Sequence, residues 1–131
     1  MGGNRCCSRF LVVAGLALPA TLCAAHEVSW DDRGGAALRV QVLPGRTLEW
    51  CGTLRAGDDV HWEFESADPL EMNVHFHEGP VIAFPVEPAL AAARSGRLAP
   101  PAEQDYCWTW TNPGGVPVAL QARLQKAAKG R

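Results

Sequence analysis

Basic residues are scarce in this sequence, which has 12 lysines and arginines against 14 aspartates and glutamates, a formal net charge of −2. They form no stripe, and the short basic tail at 126–131 is expected to fray. A mildly acidic chain of this kind is a poor candidate for binding nucleic acid or an anionic membrane. After residue 25 no apolar run approaches the ~20 residues that cross a bilayer. The mature chain is therefore expected to be soluble and to have no transmembrane span.

The sequence also lacks the common catalytic signatures. It contains no Gly-x-Ser-x-Gly elbow, no Gly-rich phosphate loop and no His-Glu-x-x-His motif. Its acidic residues are scattered, so no carboxylate pair stands out as a catalytic acid and base. These absences favour a binding or interaction domain over an enzyme. The expected partner is an unidentified protein or a small ligand.

The N-terminal segment has the three parts of a secretory signal peptide. Arg5 and Arg9 supply positive charge, residues 10–18 form an apolar core, and Cys23-Ala24-Ala25 offers small residues for cleavage after Ala25. The apolar core is too short for a transmembrane anchor. A lipoprotein anchored through Cys23 is also disfavoured, because the preceding Leu22 is not small. We therefore predict export to the periplasm or the extracellular space.

Four segments follow from this interpretation. They are a signal peptide at 1–25, an N-terminal arm at 26–37, one β-sandwich domain at 38–125 and the basic tail at 126–131. A single domain of this size has room for one modest core.

Five cysteines are encoded, and three of them (Cys6, Cys7 and Cys23) lie in the predicted signal peptide. The remaining pair, Cys51 and Cys107, is expected to form a disulfide in an oxidising compartment. The alternative is a redox-active or metal-binding thiolate pair, which the absence of Cys-x-x-Cys spacing disfavours.

Period-two alternation dominates the mature chain and predicts strands. In residues 60–65, for example, Val60, Trp62 and Phe64 share one face, whereas the intervening residues are polar. The predicted strands are 38–43, 47–54, 60–65, 70–77, 81–84, 105–111 and 116–124. About seven strands separated by turn residues predict an all-β fold, an antiparallel β-sandwich such as a jelly roll.

One stretch departs from the β pattern. Residues 87–96 have Pro88 near their start, alanines inside and Gly96 at their end. This arrangement is typical of a short helix, with a loop as the alternative.

Aromatic residues are expected to form the core. The predicted core residues are Trp50, Trp62, Phe64, Phe76, Trp108 and Trp110. An exposed aromatic platform for sugars at residues 108–110 is the alternative, which alternation beside a β core disfavours. Both cysteines share a strand face with polar residues and not with the aromatic ones. The disulfide should therefore join two strands on the outer face of the sandwich or at an edge.

The second half of the chain resembles a GOLD domain, the β-sandwich of lumenal cargo receptors and of exported bacterial relatives. The resemblance spans about residues 38 to 124. It rests on Ser95–Pro100, on the aromatic-Cys-aromatic strand Tyr106–Asn112 and on Val116–Leu120. It implies a sandwich, a disulfide from the cysteine of that strand to Cys51, and a binding role. Because a C-terminal transmembrane helix and a coiled coil are missing, a trafficking role does not carry over.

Histidines in the segment Asn73-Val-His-Phe-His-Glu78 suggest a transition-metal site. His75 and His77 share one strand face with Asn73, and two imidazoles can converge on zinc or copper. If 60–65 and 70–77 pair as a hairpin, His61 lies within reach. Further candidate ligands are Glu63, Glu71, Met72 and Glu78. The alternative is a set of solvated side chains on the outer face of a sheet.

Cleavage after Ala25 would leave His26 as the first residue of the mature chain. A free α-amino group and an imidazole on one residue chelate copper, and a second histidine would complete a brace. The chain would then be a periplasmic copper-binding protein or a copper monooxygenase. The alternative is an accidental N-terminal histidine. The leading hypothesis remains an exported, non-catalytic interaction domain, with the histidine site as a further expectation.

Overall fold

The computed structural model describes residues 23–129, so most of the predicted signal peptide lies outside the described residues. These residues form seven strands and no helix, which confirms the all-β prediction. The strands are β1 (Cys23–Glu27), β2 (Gly35–Val42), β3 (Thr47–Leu54), β4 (Val60–Glu78), β5 (Val81–Leu98), β6 (Gln104–Thr111) and β7 (Val118–Lys126). No helix that could span a membrane is present among the described residues.

The seven strands form one curled sheet in the order β1-β3-β6-β4-β7-β2, with β5 paired to the other edge of β4. Pairing is antiparallel except between β1 and β3. The first half of β4 pairs with β7, over Val60–Ser66, and its second half pairs with β6, over Glu71–His75. The long β4–β5 hairpin therefore belongs to both halves of the sheet, which fold over each other as in a sandwich.

The core lies between these two halves. Phe64, from the half that pairs with β7, meets Trp110 of β6 edge to face, with ring centroids 5.8 Å apart. Five of the six predicted core aromatics are buried, and the sixth, Phe76, is half-buried against the core. Trp108 and Trp110 are fully buried, so they form no exposed platform for sugars.

The structure corrects the predicted break between residues 65 and 70. Asp68 and Pro69 lie inside one continuous strand, β4, instead of reversing the chain. They mark the bend at which β4 changes partner from β7 to β6, and pairing with β5 is irregular between Glu65 and Leu70. Residues 60–65 and 70–77 therefore do not pair as a hairpin.

The helix predicted at 87–96 was wrong, because this segment lies within β5. Its backbone pairs with β4, and the small residues fit that pairing: Ala91 packs against the core and Gly96 lies under the ring of Trp62. Pro85 and Pro88 coincide with register irregularities in a strand that pairs on one edge only, where a missing N–H donor is tolerated. Tertiary pairing overrides the local helical propensity here.

The predicted disulfide is confirmed. Cys51 and Cys107 are directly opposed on β3 and β6, and the bond closes a sequence separation of 56 residues. Loop closure of this length stabilises the fold by roughly 4 kcal/mol in the chain-entropy model. The neighbouring Trp50 and Trp108 point into the core, so the disulfide lies on the opposite, outer face of the sheet. Cys107 is nevertheless buried there.

Candidate functional site

Strand register brings polar side chains together beside the disulfide. Asn73 of β4 is opposite Thr109 of β6, which is opposite Glu49 of β3. In the next row, His75 is opposite Cys107, which is opposite Cys51. Residues in these rows share the outer face because successive side chains alternate along each strand.

Both ring nitrogens of His75 have partners in this cluster. Nε2 lies 3.2 Å from Oε1 of Glu49, and Nδ1 lies 2.9 Å from Oδ1 of Asn73 and 3.3 Å from Oγ1 of Thr109. His75 and Glu49 are only 7 % and 4 % exposed. His75 would have to break these contacts to bind a metal. Copper or zinc binding by the predicted histidines therefore stays a prediction that the geometry does not favour.

Glu49 is the residue of this cluster that the sequence reasoning missed. Its Oε2 atom is buried and has no hydrogen-bond partner among the described residues. In the described part of the chain, one set of three potential metal ligands has its ligand atoms within 4.8 Å of one another, namely Glu49, Cys51 and Cys107. The sequence did contain one indication that Glu49 lies near the disulfide. Glu49 and Cys51 are two residues apart on one strand, so they share a face.

Of the other predicted metal ligands, His77 and Glu78 follow His75 closely on β4, whereas His61 and His26 lie elsewhere in the sheet. The ring of His77 contacts that of His75, at 5.3 Å between centroids, and Glu78 is exposed at the end of β4. His61 lies near the other end of β4, opposite Arg97 and Gln125. Fourteen residues of strand separate it from His75, on the order of 45 Å of chain. His26 is exposed on β1.

A second candidate region is the end of the β4–β5 hairpin. Gly79 has a φ of 59° in the turn, and the pairs next to the turn are Glu78 with Val81 and His77 with Ile82. Val81 and Ile82 are exposed, and Phe84 is partly exposed 6.0 Å from the His75 ring. We call Val81, Ile82 and Phe84 the hairpin end. Ile82 and Phe84 share one face of β5, and Val81 lies on the opposite face of the same hairpin end. Exposed apolar side chains grouped at one end of a fold mark interaction surfaces.

An open groove of about 730 Å³ crosses the outer face of β2, β7, β4 and β5. Its lining includes His61, Glu63 and Arg123, and Arg97, which pairs with Asp59. Its lining carries charges of both signs, so it offers no field of one sign to a charged ligand.

No protein-family model matches the chain, and no curated protein is significantly similar to it in sequence. The fold is similar to the crystal structure of PliG from Aeromonas hydrophila, a periplasmic inhibitor of g-type lysozyme. The TM-score is 0.61 at 16% sequence identity, and the match covers 80% of this chain and 97% of that chain. At this identity the similarity establishes the fold alone. Membership of the GOLD family is not confirmed.

Proposed function

We propose that this chain is an exported, non-catalytic protein-binding domain that binds its partner through the hairpin end. The observation that carries the proposal is the exposure of Val81, Ile82 and Phe84 at the end of one two-stranded hairpin. Ring packing between Phe76 and Tyr106, at 5.2 Å, fixes the base of the hairpin to β6. Apolar side chains presented on a fixed element bind with little ordering cost.

The finer proposal is that the partner is a lysozyme. It is supported by the fold similarity to a periplasmic lysozyme inhibitor and by the predicted signal peptide. A narrow hairpin that carries apolar side chains at its end is suited to enter an enzyme cleft. The absence of catalytic motifs from the sequence agrees with an inhibitory role.

The test is binding to, and inhibition of, lysozymes of several types, g-type included, measured by calorimetry and by clearing of a cell-wall suspension. We expect one-to-one binding and inhibition. Replacing Val81 and Ile82 by Asp should weaken binding at least about tenfold, since each buried apolar side chain contributes roughly 1.5–3 kcal/mol.

The matched control is Val116→Asp. Val116 is 59 % exposed and Val81 60 %, but Val116 lies in the loop at the opposite end of β6. This control should leave binding unchanged. Inhibition of no lysozyme would refute the choice of partner. Equal binding by the hairpin variant and the control would refute the choice of surface.

A further inference from the structure

The disulfide lies beside an acidic side chain that has spare bonding capacity. A carboxylate oxygen of Glu49 and the two sulfurs of Cys51 and Cys107 all lie within 4.8 Å of one another. Sulfurs joined in a disulfide are poor ligands, whereas the thiolates formed by reduction are strong ones. Three potential ligand atoms are therefore close enough to reach one ion once the disulfide bond is broken.

Glu49 provides an independent indication of a ligand. It is nine-tenths or more buried, and Oε2 has no hydrogen-bond partner among the described residues. Leaving a buried carboxylate oxygen unpaired is costly, and such atoms are rare in native structures. His75 holds the other oxygen, Oε1, at 3.2 Å. In Glu49, one carboxylate oxygen is held by His75 and the other has no hydrogen-bond partner within the described part of the chain. This arrangement is that of a metal ligand oriented by a neighbouring side chain.

We infer that the dithiol form of this protein binds a zinc ion through Cys51, Cys107 and Glu49, with His75 as the positioning residue. Thiolate sulfur and carboxylate oxygen are both normal zinc ligands. The two positive charges of the ion would offset most of the negative charge that the carboxylate and the two metal-bound thiolates bring to one buried face. This site differs from the histidine site expected from the sequence, because it depends on the cysteines and on Glu49.

Conversion of the disulfide form into the zinc-bound dithiol form conserves electrons and protons. A dithiol reductant donates two electrons and two protons, the Cys51–Cys107 sulfur–sulfur bond breaks, and the reductant becomes a disulfide. Zinc binding then releases the two thiol protons to solvent. Oxidation by a disulfide donor reverses these steps and expels the zinc. A newly exported chain contains the same two thiols before oxidation, so the site exists during maturation as well.

Cobalt(II) is the probe we would use, because its bonds to thiolates give a charge-transfer absorption in the near ultraviolet. The full exported chain is reduced with a phosphine under anaerobic conditions and titrated with Co²⁺, and Zn²⁺ is then added as a competitor. We expect one-to-one binding, loss of the band when zinc is added, and no band for the oxidised protein. Absence of the band from the reduced protein would overturn the inference.

Variants distinguish a zinc site that includes Glu49 from zinc binding by the two thiols alone. Glu49→Gln should weaken zinc binding at least about tenfold, and His75→Ala should weaken it by a smaller factor. Glu65→Gln is the matched control, because Glu65 is an exposed glutamate on the part of β4 that pairs with β7, away from the two cysteines. If reduction unfolds the chain, near-ultraviolet circular dichroism should recover on addition of zinc to the wild type but not to Glu49→Gln. Equal zinc affinities of the Glu49 and Glu65 variants would overturn the inference, as would zinc binding that is undiminished in urea.

Discussion

Asn112 is expected to be the polar side chain whose loss costs this fold most. It is 1 % exposed, and its amide nitrogen donates hydrogen bonds to the carbonyl oxygens of Val42, at 2.9 Å, and Val116, at 2.7 Å. Its Oδ1 accepts a bond from the amide of Gly114 at 2.9 Å. One side chain thereby fixes the β6–β7 loop to the end of β2.

Three hydrogen bonds of about 1 kcal/mol each give a loss of roughly 3 kcal/mol for Asn112→Ala, a large share of the 5–15 kcal/mol typical of a domain. For a domain near 100 residues this lowers the melting temperature by roughly 12–24 °C. Asn112→Asp should cost more, since it removes both donors and places a carboxylate against two carbonyl oxygens. Asn73→Ala is the control: Asn73 is half-buried and its side chain bonds His75, so its loss should cost about 1 kcal/mol.

Urea denaturation followed by tryptophan fluorescence measures these differences, because the buried tryptophans report the loss of the core. The denaturation midpoint should fall for Asn112→Ala while the slope stays constant. A loss below about 1 kcal/mol, or one no larger than that of Asn73→Ala, would refute the assignment of Asn112 as the buried connector between the β6–β7 loop and the end of β2.

Two further predictions concern packing and pH. A Cβ atom at Gly96 would lie 2.7 Å from Cζ2 of Trp62, so Gly96→Ala should cost about 1–3 kcal/mol in urea denaturation; an unchanged midpoint would contradict that contact. Burial alone would raise the pKa of Asp58, but the amide of Arg55 and the ammonium of Lys129 hold it below the ordinary 3.8. Its stabilisation is complete above that value and is lost as the pH falls through the lower folded pKa. The stability difference between wild type and Asp58→Asn should therefore shrink below pH 3.8, and a constant difference would argue against the shift.

Predictions from local sequence patterns were wrong where the strand that pairs with a segment lies far away in the chain. The alanine-rich stretch before Gly96 satisfies the local criteria for a helix, yet it forms a strand because β4 supplies backbone partners along most of its length. Asp68 and Pro69 satisfy the criteria for a turn. They form a bend instead, because β4 continues from β7 to β6. Neither outcome is visible in a window of ten residues.

The candidate sites show the same limit. The sequence placed His75 and His77 on one face, and their rings do meet. The sequence offered a metal site or solvated side chains on that face, whereas Glu49 and Thr109 close around His75 through strands β3 and β6. Period two reports which side of a strand a residue occupies, but not what covers that side.

The sequence by itself determined the all-β class, the aromatic core and the pair of cysteines that form the disulfide. These depend on alternation and on residue chemistry, which act within a strand or require no geometry. Only the tertiary structure decided that β4 and β5 join both halves of the sheet, that Glu49 lies against the disulfide, and that Val81 and Ile82 stand exposed at a hairpin end. These features depend on strand order and register, which are set by contacts between residues far apart in the chain.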